Sequence, residues 1–371
     1  MKKTLLLFFM LFLPLFGGCV FNQKEIGIED SLTLQVGDTY QLQPLTEPVV
    51  LLQYSSSSPI VEVDRYGLVE AIETGEAIIY IEAKGYKKAT VLIEVVDLSA
   101  NLNVYFVDVG QADCMIAMLP NGEVLMIDSG LDHLSTTGDG NYPSWSNIKK
   151  VLNKENIEVI DHFIITHYHS DHYYYAINIL NDYEVKNVYS SGTIRNNSWY
   201  YSWLQAIEAE GLTLQVVTTG DWIIEEEDLT LQVLSAKTIT GEEDINYSSV
   251  MTKLTYKERS FVFTGDAGSD SGDGETIAFN SGIDLKADVL KVGHHGSMYA
   301  SGNRFLYAVM PTYAIITTAE ETSTGHPHLS AVNRILGVGA KIYQSKTHGT
   351  ILVTTDGNTL DIIIEKGEHP Q

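Results

Sequence analysis

Cysteine is scarce in this chain. Its 371 residues hold two, Cys19 and Cys114, too few for a disulfide framework. Positive charge is scarce as well: 23 Lys and Arg stand against 48 Asp and Glu, a formal net charge of −25. A surface this acidic repels nucleic acid over most of its area. That excludes a broad duplex-DNA footprint, although a metal-lined cleft can still admit a phosphate. Polytopic apolar runs are lacking too, so the chain is no membrane channel. What remains is 44% hydrophobic and 19% charged, enough to bury real cores, which excludes global disorder. The length predicts two or three domains.

The N-terminus reads as a targeting segment. Lys2 and Lys3 precede an apolar run from Thr4 to Phe16, then Gly17, Gly18 and Cys19. A basic start, a short greasy stretch and small residues predict a secretory signal over residues 1–18. The Gly-Gly-Cys boundary resembles the lipobox of bacterial lipoproteins, with Phe16 where Leu is usual. The resemblance implies that Cys19 is lipidated and becomes the mature N-terminus. It therefore implies an extracytoplasmic, membrane-anchored lipoprotein on the bacterial cell surface.

Residues 26–97 read as short strands. Leu32, Leu34 and Val36 alternate with polar residues before Gly37-Asp38, and Val61 and Val63 alternate before Asp64-Arg65-Tyr66-Gly67. Ile79 and Ile81, then Val91, Ile93 and Val95, repeat the period of two. Strands with no helical stretch predict a β-sandwich. The stretches LQVGDTYQL and YSSSSPIVEVDRYGLVEAIETGEAIIYIEA resemble the bacterial immunoglobulin-like group-2 domain, with Tyr54 where that family usually has Trp. This implies a spacer or a module for glycan or protein contact. The segment has no His and no Cys, hence no plausible ligand set.

From residue 101 the pattern changes. Apolar strands at 104–109, 124–128, 160–166, 186–190, 212–217, 260–265, 286–292 and 313–318 mix with helical stretches near 146–155, 172–181, 199–209 and 329–337. That mixture predicts a large α/β domain. A loop rich in Gly, Ser, Thr and Asn at 132–147 is a candidate flap. After the strand ending at Thr166 comes His167-Tyr-His169-Ser-Asp171-His172. Imidazoles and a carboxylate so crowded suit zinc, manganese or iron. Along an extended loop, His167 and His169 can reach one metal together, while Asp171 and His172 turn toward a second. Two later strands end in Gly265-Asp266 and in His294-His295-Gly-Ser297. A carboxylate at Asp266 can bridge two metals.

HYHSDH matches the HxHxDH signature of the metallo-β-lactamase fold. FVDVGQADC, LMIDSG, FVFTGDA, LKVGHHGS and GHPH resemble its ComEC-type branch over about residues 101–366. The resemblance implies an αβ/βα sandwich with a dinuclear site and phosphodiesterase or nuclease chemistry. Together with the first segment, the fold class is α/β, with a small N-terminal all-β immunoglobulin-like sandwich. Carried over by position, His167 and His169 hold the first of two divalent ions, zinc or manganese. Asp171, His172 and His295 hold the second, and Asp266 bridges. His294 is assigned to substrate-oxygen contact or proton donation, with the exchange of His294 and His295 left open. Asp128 supports the histidine loop by hydrogen bonds, and His326 is either a turn residue or a substrate contact. No histidine lies between His172 and His294. Asn246 and Ser248 fit near that point, which leaves open positions for water on the first ion. Cys114 is expected to be a buried, inert thiol. Of Tyr173-Tyr174-Tyr175, part should face the core. The expected substrate is a phosphoester of nucleic acid or of a cell-wall polymer. Lactam or thioester hydrolysis and a non-catalytic adhesion protein are the competing classes.

Overall fold

A computed structural model describes residues 24–96, 101–131, 144–240, 243–320, 322 and 324–370. The expected signal segment 1–18, the expected anchor Cys19 and most of the candidate flap 132–147 lie outside the described residues. The chain divides into two compact units, with the boundary between Asp97 and Leu98. No helix among the described residues is long and apolar enough to cross a membrane.

The first unit is built of strands. One sheet orders Ser31–Gln35, Ala89–Val96, Gly75–Glu82 and Gln53–Ser56, and the other orders Thr39–Gln41, Leu68–Ala71 and Val61–Val63. The alternating residues Ile79, Ile81, Val91 and Ile93 are fully buried with Val61, Val69 and Ala71 from the second sheet. The period of two thus puts one face of each sheet into a shared core.

The second unit has two larger sheets. The eight-stranded sheet runs Leu214–Val216, Val188–Ser190, His162–Ile164, Val124–Ile127, Met115–Met118, Leu102–Phe106, Ile351–Thr355, Asp361–Ile364. The seven-stranded sheet runs Trp222–Glu225, Leu229–Ser235, Met251–Tyr256, Arg259–Phe263, Val289–Lys291, Tyr313–Ile316, Lys341–Gln344. Phe106, Ile127 and Ile164 of the first pack against Phe261, Phe263, Val289 and Ile315 of the second. The intervening residues point outward. Met126 and Phe163 meet the helices Ser144–Lys154, Ala176–Asp182 and Ser198–Ala209. Val262, Leu290 and Ala314 meet Gly274–Ser281, Asn303–Val309 and Leu329–Gly337. Central strands are therefore apolar on both faces, which is why they read as unbroken runs. The expected helix 172–181 is broken: Ser170–Tyr173 and Ala176–Asp182 are separate.

In each of these two sheets the strands that end at the site pair in parallel. His162–Ile164 pairs this way with Val124–Ile127, and Val289–Lys291 with Arg259–Phe263 and Tyr313–Ile316. Their C-terminal ends deliver Asp128, the loop from Thr166 to His172, Gly265-Asp266, His294-His295 and Thr317 to one edge of the unit.

Candidate metal centre

The site is assembled from these strand ends. Asp128 is fully buried with φ 59°, a left-handed conformation that non-glycine residues reach at a cost. It clamps the histidine loop: Thr166 donates to it from its backbone N–H at 2.8 Å and from its hydroxyl at 2.7 Å. His172 Nδ1 lies 2.7 Å from Asp128 Oδ2, the oxygen that also accepts from the Thr166 hydroxyl. Since a carboxylate accepts, Nδ1 carries the proton and Nε2 faces the site. The same logic orients His295, whose Nδ1 donates to the Thr317 carbonyl at 2.8 Å.

Asp266 belongs to two groups of donors. In one, Asp171, His172, Asp266 and His295 converge, and in the other His167, His169 and Asp266. Asp266 Oδ1 is 3.3 Å from His172 Nε2 and 3.5 Å from His295 Nε2. His295 Nε2 is also 3.5 Å from Asp171 Oδ2. On the other side, His167 Nε2 is 3.0 Å from His169 Nδ1 and 4.0 Å from Asp266 Oδ2.

The donor set fits a divalent ion. His172 Nε2, His295 Nε2 and Asp266 Oδ1 are buried with no hydrogen-bond partner among the described residues. Buried polar atoms without partners are costly, and three aimed at one point ask for a cation. Ligands about 2.1 Å from a tetrahedral ion stand roughly 3.4 Å apart, close to the separations found. Burial works against charge on Asp266, but His172, His295 and His294 outweigh it and hold its carboxyl well below the usual range. His172 is likewise held well above its usual value, because Asp266, Asp128 and Asp171 overcome burial. The cluster is a set of charges waiting to be balanced.

His294 stands at the edge. Its side chain is 29% exposed and Nε2 is 3.6 Å from Asp266 Oδ2. His326 is buried, its peptide bond to Pro327 is cis, and its ring is edge-on to His294 at 5.3 Å. Burial, helped by His294 and His295, pushes His326 down to about 4, and its Nδ1 is buried with no hydrogen-bond partner among the described residues. Cys114 is fully buried and its thiol is raised by burial. Tyr173 joins the core, whereas Tyr174 and Tyr175 are half-buried.

One expectation shifts by a residue. Ser248 donates to the Ile245 carbonyl. It is Ser249 whose hydroxyl lies 3.4 Å from His167 Nδ1 and accepts from the Asp266 N–H at 3.1 Å. The 3-10 turn Ile245–Ser248 directs the earlier serine back onto its own backbone. Sequence reasoning also passes over Asp113 and Lys291. Both are fully buried, with Lys291 Nζ 2.5 Å from Asp113 Oδ2. Asp113 accepts from Thr317 Oγ1 at 2.6 Å, so the pair steadies the carbonyl that orients His295. Each stands inside a quoted stretch, VGQADC and LKVGHHGS, but the two are distant in the chain and neither spacing signals the pairing.

Two sheets face to face with helices outside, and a His/Asp cluster at the strand ends, define a metal-binding hydrolase of the αβ/βα type. The metallo-beta-lactamase superfamily profile matches residues 107–319, and the chain belongs to that superfamily. It is similar to ComE operon protein 3 of Bacillus subtilis, at 30% identity over 262 residues, 68% of this chain and 33% of that protein. It is similar also to Recombination protein 2 of Haemophilus influenzae, at 26% over 255 residues, 69% of this chain and 29% of that protein. The chain thus spans about a third of the length of these curated relatives. Among solved structures, the metallo-beta-lactamase fold protein YhfI of Bacillus subtilis aligns with a TM-score of 0.43 and 11% identity, over 66% of this chain and 97% of that one.

Proposed function

We propose that this hydrolase cleaves phosphodiester bonds with a dinuclear centre. His167 and His169 would hold one ion, Asp171, His172 and His295 the other, and Asp266 would be shared. The observation that carries the reading is the division of Asp266, with Oδ1 toward His172 and His295 and Oδ2 toward His167. Two divalent ions, zinc or manganese, supply when bound the charge that acidifies water and balances the phosphate oxygens. His294, partly exposed beside Asp266, donates a hydrogen bond to a substrate oxygen or the proton that the leaving oxygen needs. His326 lies against His294 and contacts the substrate from the same side. Asp128 and Thr166 keep His172 in one tautomer.

The name of Recombination protein 2 speaks of recombination, which favours a nucleic-acid phosphodiester. The formal charge of −25 favours a short substrate over a polymer, and leaves a cell-wall phosphoester as the second reading. A purely adhesive role would leave the buried donors unbalanced. The proposal includes a lipid anchor at Cys19 after a signal at 1–18, and an immunoglobulin-like character for 26–97 that reaches surface glycan or protein. It rests there on the sequence motifs alone.

Elemental analysis of the purified protein, followed by bis(p-nitrophenyl) phosphate hydrolysis in the bound metal, tests the core of this reading. About two transition-metal ions per chain and turnover well above that of a β-lactam are expected. Less than one ion after supplementation, or lactam turnover without phosphodiester cleavage, overturns it.

A further inference from the structure

The two most exposed large apolar side chains among the described residues are Val49, at 93%, and Leu51, at 87%. Both precede the strand Gln53–Ser56, whose first residue pairs with Glu82, the last of Gly75–Glu82. Val50, Leu52 and Tyr54 pack on the core of the first unit, so the period of two leaves Val49 and Leu51 on the other side. Hydrogen bonds hold this loop in place. The Tyr86 hydroxyl donates to the Pro48 carbonyl at 3.1 Å, and Lys24 Nζ to the Glu47 carbonyl at 2.6 Å. Leu45, 67% exposed, bridges to Gly27 beside it. The same end of the unit collects positive charge. Four of the five Lys and Arg between residues 24 and 96 are Lys24, Lys84, Lys87 and Lys88. The last three lie in the turn that joins Gly75–Glu82 to Ala89–Val96, and backbone bonds tie Lys24 to Gly85 and Lys87. Lys87 and Lys88 pair with Glu25 and Glu82, which leaves Lys24 and Lys84 against Glu47.

We infer that Leu45, Val49 and Leu51, flanked by Lys24 and Lys84, enter the headgroup region of an anionic bilayer. The inference rests on the proposal that Cys19 is lipidated, and adds to it a contact made by the folded unit itself. Lys24 follows Cys19 by five positions, and five extended residues span at most about 18 Å. The end of the unit that carries Lys24 is thus tethered within that distance of the lipid, and it is the end that carries the apolar loop. Entry into the headgroup region removes the projecting side chains from water. Lysines beside them meet the negative surface of the leaflet at close range, where salt screens least. Charge also decides between occupants. A second copy of this chain, docked through the same patch, would set these lysines against their own kind. The rest of the molecule does not suit the membrane: a chain with a net charge of −25 is repelled by anionic lipid over most of its surface. The lysine-flanked loop is the exception, and its contact fixes which side of the first unit faces the bilayer.

The test uses the chain from Cys19 onward, coupled through the Cys19 thiol to a maleimide phospholipid in vesicles of phosphatidylglycerol and phosphatidylcholine. Cys114 is fully buried and does not compete. Leu51→Trp reports lipid contact through quenching by brominated acyl chains, read against the unsubstituted chain, and Ile72→Trp is the control. Ile72 is exposed at the other end of the unit: its N–H donates to the Ile60 carbonyl, and Ile60 lies against Gly75, the first residue of Gly75–Glu82. The added emission of Leu51→Trp should be quenched by about half, as for a side chain within the headgroup and acyl boundary, and that of Ile72→Trp hardly at all. Lys84→Gln should lower the quenching of Leu51→Trp in the mixed vesicles but not in phosphatidylcholine alone. Equal quenching in the two tryptophan variants, or none in Leu51→Trp, overturns the contact. So does a dimer of the uncoupled chain that Val49→Ser with Leu51→Ser dissolves, since a second copy would then cover the loop. Because the coupling is chemical, the anchor is judged apart. Mass spectrometry of cell-derived chain showing no lipid on Cys19 would sink the anchor, while quenching in Leu51→Trp would still uphold the loop.

Discussion

At the scale of single residues, the site is a matter of buried charge. Lys291 and Asp113 have no exposed side-chain surface and pair at 2.5 Å. Removing one partner of such a pair leaves the other charge in a medium that cannot solvate it, at a cost of about 3–5 kcal/mol. Lys291→Met should therefore lower stability by that amount in urea unfolding, and Lys291→Met combined with Asp113→Leu should recover part of it. An additive double variant would mean that the two groups do not act as a pair. Asp266 and His294 separate differently. Asp266→Ala removes the donor common to both groups and should lose metal and activity together. His294→Ala should keep nearly all metal and lower turnover about 10²–10³-fold, the loss typical of one charge-stabilising donor. Equal metal loss in both variants would make His294 a ligand. The residues in HYHSDH are legible because a crowd of imidazoles within six positions has few other uses. Asp113 and Lys291 are not, since their meeting depends on strands of different sheets.

At the scale of elements, legibility follows burial. Strands apolar on both faces, such as Arg259–Phe263 and Val289–Lys291, stand out as runs. The sequence reading has no strand between 217 and 260, where Trp222–Glu225, Leu229–Ser235 and Met251–Tyr256 lie. There Thr230, Gln232, Lys253 and Thr255 are only half-buried while Leu229, Leu231, Val233 and Leu254 are buried, so one face is polar and no run forms. The helix expected over 172–181 is interrupted at Tyr175, whose φ −90° and ψ 12° leave the helical range that Tyr174 still keeps. Element junctions also carry a pH signature. Glu275, in the helix Gly274–Ser281, accepts from the backbone N–H groups of Ser301 and Gly302, just before the helix Asn303–Val309. Burial outweighs these donors and pushes its carboxyl up to about 8 from 4.5. The folded state thus keeps a proton that the unfolded chain gives up earlier. The associated stability is complete below pH 4.5 and is lost as the pH rises toward 8. Urea unfolding should show lower stability at pH 8 than at pH 5, and Glu275→Gln should flatten the difference. Equal slopes in both proteins would remove Glu275 from the account.

At the scale of the whole molecule, each unit closes its own core. Ile79, Ile81, Val91 and Ile93 are buried within the first, and the cores of the second draw only on residues from Leu102 onward. The candidate donors, from His167 to His295, all belong to the second unit. Two units with separate cores should melt separately, and only one of them should answer to metal. Calorimetry of the full chain should resolve two transitions. A chelator should lower the transition of the hydrolase unit by several degrees, since a ligand that binds only the folded state stabilises it by mass action, while the other transition should not move. A variant that begins at Ala100 should then show the metal-sensitive transition alone and hydrolyse a small phosphodiester at the full-chain rate. A single cooperative transition, or a large loss of turnover on a small substrate with the shortened chain still folded, would show that the strands of residues 26–97 help to build the site.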